Sequence, residues 1–160
     1  MLAGASLTAV LQQAWRAHPA LSGQQRGAIQ DISYGVLRFY GQLEALLGLL
    51  LNKPLRNRDQ DLRCLLLVGL YQLQYSKTAA HVIVDHAVTV AGMLESGKGG
   101  QGLINAVLRN FMRQQATLLV RAEETELGRY SHPQWWINKL RSQYPLSYQT
   151  VLAVDNQRHR

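Results

Sequence analysis

The sequence has little cysteine, little proline and no long apolar run. Its single cysteine excludes an internal disulfide framework and a zinc site built from several thiolates, and it is typical of a reducing compartment. The most apolar stretches, residues 43–51 and 64–70, are shorter than the ~18 residues that a membrane span needs. The first residues also lack the basic segment and apolar core of a signal peptide. We therefore expect a cytoplasmic protein without a membrane partner.

Acidic residues are also scarce. The sequence has 10 Asp and Glu residues against 17 Lys and Arg residues, which gives a formal net charge of +7 at pH 7. An excess of this size favours a polyanionic partner, such as nucleic acid, over a small acidic ligand. With 160 residues, of which 47% are hydrophobic, the chain is long enough to bury one sizeable core. The composition thus indicates a basic globular protein.

Apolar residues recur at spacings of three and four along most of the chain, which predicts helices, whereas strict alternation is rare. Ser22 is the predicted N-cap of the second helix, and Gly41 is a predicted break after it. The fourth helix is apolar on all sides, as is typical of a central buried helix. Residues 96–102 are glycine-rich and predict a flexible loop. The predicted helices cover residues 6–15, 22–40, 43–51, 62–74, 81–94, 103–115, 134–144 and 146–154.

The character of the sequence changes after Gln115. A charged segment at residues 121–127 and prolines at positions 133 and 145 follow the regular apolar pattern. We therefore predict an all-α protein with two parts: a helical bundle over residues 1–118 and a helical extension over residues 119–160.

The sequence offers no convincing catalytic or metal-binding constellation. Cys64 lies among leucines, which is typical of a small buried hydrophobic residue. His81 and Asp85 are one helical turn apart and His86 is adjacent, but these are too few ligands for a metal, and hydrogen bonding between helices is the simpler interpretation. Residues 97–100 lack the preceding strand and the closing Gly-Lys-Ser/Thr of a phosphate loop. We predict no catalytic, cofactor-binding or metal-binding residue in this chain.

The basic residues are more informative. Asn105, Arg109 and Arg113 are spaced by four, so they lie on one polar stripe of the predicted sixth helix. The two arginines repel each other by a few tenths of a kcal/mol, and an external anion would relieve that repulsion if no acid lies nearby. A merely solvated helix face is an equally open alternative. Because aromatic residues do not alternate with the basic ones, contact with phosphates is favoured over base stacking. The candidates for extending this surface are Lys53, Arg56, Arg58 and Lys77, and the further candidates are Arg16, Arg26 and Arg38.

Several short motifs occur in a familiar order. The chain resembles the NusB-like N-terminal domain of bacterial 16S ribosomal RNA cytosine-5 methyltransferases, the RsmB (Sun/Fmu) family. The resemblance covers about Ser22–Tyr144, and Thr78 departs from it, since relatives commonly have proline there. The residues that carry it are Tyr34-Gly35-Val36-Leu37-Arg38, Asp61-Leu62-Arg63, Gly69-Leu70-Tyr71-Gln72-Leu73, Ala80-His81 with Val84-Asp85, Asn105-Ala106-Val107-Leu108-Arg109, and Ser131-His132-Pro133-Gln134-Trp135-Trp136.

The resemblance implies an all-α, NusB-like bundle that binds RNA, namely 16S ribosomal RNA, and contacts a methyltransferase domain. That catalytic domain would bind S-adenosylmethionine. The present chain reaches Arg160 without a glycine-rich cofactor loop, so we expect it to be the non-catalytic part. Two alternatives stay open: a free-standing NusB-type antitermination factor that binds RNA and a ribosomal protein, and a helical interaction scaffold. The expected RNA-binding residues are Arg26, Arg38, Lys77, Asn105, Arg109 and Arg113.

Overall fold

The structure is a computed structural model that describes residues 2–94 and 97–126. Within those residues it is all-α, which confirms the predicted fold class. Both helices predicted beyond residue 130, and the motif at residues 131–136, lie outside the described part. The described elements are α1 (Leu2–Ala17), α2 (Gly23–Arg38), α3 (Tyr40–Leu50), a 3-10 turn (Asn57–Asp59), α4 (Gln60–Tyr75), α5 (Ala80–Met93), α6 (Gly97–Arg113) and α7 (Gln115–Glu126).

The second helix begins and ends at identifiable residues. Ser22 is its N-cap, as predicted: the Ser22 hydroxyl accepts a hydrogen bond from the Gln25 amide, and the Gln25 side chain accepts one from the Ser22 amide. The break before α3 falls at Phe39, two residues before the predicted Gly41. Phe39 ends one helix and begins the next, and its ring packs against Tyr75 of α4. A tertiary contact, rather than a glycine, therefore marks the break.

The central helix is α4, as its all-round apolar sequence predicts. Residues Cys64–Leu70 are all fully buried, and α4 packs against α2, α3, α5 and α6. Gly69 lets α6 approach closely, since a Cβ atom there would lie 3.0 Å from Leu108. The prediction that Cys64 is a buried core residue is confirmed.

Helices α5 and α6 form an antiparallel hairpin. The prediction of a flexible loop over residues 96–102 is wrong for residues 97–102, which form the first turns of α6. Gln101 donates a hydrogen bond to the Val88 carbonyl at 3.1 Å, and a Cβ atom on Gly92 would lie 2.5 Å from the Gln101 amide. Packing against α5 thus outweighs the weak helix propensity of glycine.

The last described helix, α7, packs against α3 and buries Leu118 and Ala122 in the core. The boundary predicted at residue 118 falls inside this helix. Because the rest of the extension lies beyond the described residues, the division into two parts stays a prediction. None of the helices within 2–94 and 97–126 is long and apolar enough to cross a membrane.

Candidate nucleic-acid interface

The α6 stripe consists of Asn105, Arg109 and Arg113. The Asn105 Oδ1 atom accepts a hydrogen bond from Arg109 Nε at 2.8 Å, so the spacing of four brings these side chains together as predicted. Arg109 Nη2 also lies 3.9 Å from Asp85 Oδ1 of α5. The condition that no acid lies near the two arginines is therefore not met for Arg109. The side chains of Arg109 and Asp85 are 44% and 67% exposed, so the pair is a weak, solvent-screened one.

Arg38 and Lys77 lie on a different surface, where they line one groove between α2, α4 and the segment that follows α4. The groove has a volume of about 920 Å³. Arg38 is the last residue of α2, and Lys77 follows α4 by two residues, so the ends of two packed helices bring the cations to one place. Asp31 and Gln72 also line the groove. It therefore combines positive charge with a carboxylate and an amide.

Four aromatic residues also line this groove, and the rings of Phe39, Tyr71 and Tyr75 form a cluster in it. The Phe39 and Tyr75 rings stack with centroids 4.5 Å apart, and Tyr71 lies 5.2 Å from Tyr75. The Arg38 guanidinium lies over the Phe39 ring, 5.3 Å from its centroid. The structure thus places aromatic rings beside a basic residue, although aromatic and basic residues do not alternate along the sequence. Sequence reasoning missed the cluster because Phe39 and Tyr71 come from separate helical segments.

Gly35 determines how closely these segments pack. A Cβ atom on Gly35 would overlap the Tyr71 ring, so the ring occupies the space that a side chain would fill. Burial raises the pKa of the Tyr71 hydroxyl, and the nearby Asp31 carboxylate raises it further. The Tyr71 hydroxyl is thus held in its neutral form over a wider pH range than a free tyrosine.

Arg26 occupies a third position. Its guanidinium lies 5.8 Å from the centroid of the Trp15 ring of α1, and its buried Nε atom has no hydrogen-bond partner among the described residues. The groove is lined by residues of α2 that begin at Ala28, so Arg26 is not among them. The structure therefore distributes the six predicted residues over three places: the α6 stripe, the groove and the contact between α1 and α2.

The groove and the C-terminal end of the α6 stripe lie at the same end of the bundle. In the α5–α6 hairpin, the pairing of Asp85 with Arg109 places the start of α5, which follows Lys77, beside the end of α6. Tyr75 of the groove also lines a smaller pocket with Gln115, the first residue of α7. Arg113, the last residue of α6 and two residues before Gln115, is exposed.

Arg56 and Arg58 belong to another pocket of about 530 Å³, formed with Gly99 and Gly100 at the start of α6. Arg56 is paired with Asp59 at 3.1 Å, so part of its charge is neutralised. Within the described part of the chain, no three His, Cys, Asp or Glu side chains gather into a possible metal site. The features described here are suited to binding an anionic polymer.

Comparison with known proteins agrees with this fold. A model of the NusB family matches residues 3–113, which include α2 to α6 and both candidate surfaces. The chain belongs to the NusB family.

Three similar curated proteins are each named ribosomal RNA small subunit methyltransferase B. The Vibrio vulnificus protein is 37% identical over 153 residues, which are 96% of this chain and 35% of that protein. The Serratia proteamaculans protein is 36% identical over 97% of this chain and 35% of its own length. The Vibrio cholerae protein is 41% identical over 80% of this chain and 29% of its own length.

The chain thus spans about a third of the length of the relatives it matches. It corresponds to one part of a longer protein in each relative, as the motif resemblance led us to expect.

Proposed function

We propose that this chain is the RNA-binding part of a small-subunit ribosomal RNA cytosine-5 methyltransferase and positions 16S ribosomal RNA for a catalytic domain. The main support is the extent of the similarity. The match to the Vibrio vulnificus protein covers 153 residues, and so continues well past residue 113, where the NusB family match ends. A free-standing antitermination factor of the NusB type would not explain the similarity beyond residue 113.

In this proposal, the catalytic domain binds S-adenosylmethionine and transfers the methyl group in the cytoplasm. The present chain contacts that domain and supplies affinity and orientation for the RNA. Orientation matters because holding a nucleotide close to a reactive group lowers the entropic part of the barrier.

The proposed contacts are electrostatic. The net charge of +7 attracts the RNA, and basic and polar side chains bind its phosphates. Phosphate contacts fix position and register rather than sequence, which is what a positioning domain requires. The residues that we assign to these contacts are Arg26, Arg38, Lys77, Asn105, Arg109 and Arg113.

The test is RNA binding over a range of salt concentrations. The 160-residue chain should bind a small-subunit ribosomal RNA fragment with an affinity that falls steeply as salt increases, because each neutralised phosphate releases counterions. Replacing Arg109 and Arg113 together with alanine should weaken binding and lower the slope of log affinity against log salt by roughly one to two units.

The matched control is Arg121→Ala, which removes an exposed arginine of α7 that belongs neither to the α6 stripe nor to the lining of the groove. It should change the slope much less. If the double variant keeps the affinity and the salt slope of the wild type while its melting temperature is normal, the α6 stripe is a solvated face and this assignment is wrong.

A further inference from the structure

Gln72 lines the groove but has an environment unlike that of the basic residues at its edge. The residue is only 1% exposed, and neither its amide nitrogen nor its amide oxygen has a hydrogen-bond partner among the described residues. Buried polar groups are nearly always paired, so an unpaired amide in the lining of a groove calls for a ligand or an ordered molecule there. A carboxamide places a donor and an acceptor side by side, which matches the edge of a nucleobase.

The aromatic rings supply the second requirement for binding a base. Tyr75 is 43% exposed and stacks on Phe39, so an aromatic surface is available at the groove. Stacking on such rings is how proteins hold unpaired bases, and it tolerates different sequences because every base has an aromatic face. The groove volume of about 920 Å³ falls in the range of ~300–1,000 Å³ that is usual for ligand pockets.

The charges in the groove also favour a base over phosphate alone. Arg38 and Lys77 attract phosphate, but Asp31 in the same lining repels it. A carboxylate can instead accept a hydrogen bond from the exocyclic amino group of a base. A site for phosphate alone gains nothing from an aspartate or from the buried amide.

We propose that this groove binds an unpaired nucleobase of the RNA. The base stacks on the Phe39–Tyr75 pair, its edge bonds to the Gln72 amide, and its flanking phosphates contact Arg38 and Lys77. This inference rests on the proposed function and names the part of the RNA that the groove recognises. Adenine is the base used to test it, because its N6 amino group and N7 atom match a carboxamide.

The experiment compares two fluorescein-labelled single strands of equal length: a short oligoadenylate and a ribose-phosphate oligomer that lacks bases. Both carry the same phosphates, so the difference in affinity measures base recognition alone. The 160-residue chain should bind the oligoadenylate about tenfold more tightly, as expected from stacking of roughly one base. Gln72→Leu and Tyr75→Ala should each reduce this preference at least about threefold without changing the affinity for the abasic oligomer.

The control variant is Gln74→Leu, on the same helix, because the Gln74 side chain bonds to the Leu70 carbonyl and does not line the groove. It should keep the full preference. Gln72→Leu should also keep or raise the melting temperature, because it removes an amide that has no partner among the described residues.

The outcomes separate this inference from the proposed function. Equal affinity for both oligomers would overturn the nucleobase site, while salt-dependent binding of both would leave the proposed RNA-binding function in place. If neither the oligomers nor the ribosomal RNA fragment binds, both proposals fail. If Gln72→Leu lowers the melting temperature and leaves the preference intact, Gln72 serves the core and the inference is wrong.

Discussion

The two candidate surfaces of this protein are built in different ways. The α6 stripe lies on the exposed side of a helix whose opposite side, including Ile104, Leu108 and Phe111, is buried. The groove is built on α4, the central helix, and Tyr71 and Gln72 are continuous with its buried core. A surface of the first kind can change without affecting the fold. A surface of the second kind is coupled to stability, because the same helix carries both the core and the groove.

The α6 stripe and the groove are also suited to different parts of RNA binding. The stripe offers exposed charge on flexible side chains, which suits phosphates at variable positions. The groove offers rings and an amide held by packing, and such preorganised groups lose little entropy when they bind. We expect the stripe to determine the salt dependence and the groove to determine which part of the RNA is held.

The largest expected effect comes from the core beneath the groove. Leu66 of α4 is fully buried, so Leu66→Ala should lower the free energy of unfolding by ~2–5 kcal/mol through lost burial and the cavity that remains. Urea denaturation measures this difference. The control is Val120→Ala on α7, which is 59% exposed and should change stability by no more than ~0.5 kcal/mol. A loss below ~1 kcal/mol for Leu66→Ala would mean that α4 is not the central helix.

The second prediction concerns the contact that shapes the groove. Gly35→Ala places a methyl group where the Tyr71 ring lies, so the ring or α2 must move. Overpacking of this kind costs about 1–3 kcal/mol, which urea denaturation would detect. Because the Tyr71 ring lines the groove, the variant should also lose part of its preference for oligoadenylate while its salt slope stays unchanged.

Gly27→Ala is the matched control on the same helix. Nothing lies within 4 Å of a Cβ atom at Gly27, so alanine should stabilise α2 by about 0.5–1 kcal/mol. Equal effects of the two substitutions would show that the close approach of Gly35 to Tyr71 has no energetic consequence, and the groove would then be less rigid than we infer.

Local features of the fold could be predicted from the sequence because their causes are local. The N-cap at Ser22 follows from residues within one turn, and the bond between Asn105 and Arg109 follows from a spacing of four. The burial of α4 follows from its lack of a polar face. In each case neighbouring residues carry all the information.

Features that depend on how helices pack could not be predicted in this way. The pairing of Asp85 with Arg109 depends on the register of α5 against α6, and the aromatic cluster depends on the approach of α2 to α4 at Gly35. The glycines that begin α6 indicate a loop by propensity alone, whereas contact with α5 makes them helical. The groove is therefore a tertiary feature, and sequence reasoning identified only its two cations.

The smallest expected effect concerns Asp85, and it tests whether the stripe acts through charge alone. Asp85→Asn removes the carboxylate that lies 3.9 Å from Arg109, so this arginine becomes more available to phosphate. We expect RNA affinity to rise by a few fold at low salt, and stability to change by less than ~1 kcal/mol because both side chains are exposed. The control is Glu124→Gln on α7, which changes the net charge equally but at an exposed position on another helix.

If both variants raise affinity equally, only the overall charge matters and Arg109 has no particular role. If Asp85→Asn alone raises affinity, and does so for the abasic oligomer as much as for the oligoadenylate, then phosphate binding by the stripe and base binding by the groove are separate contributions.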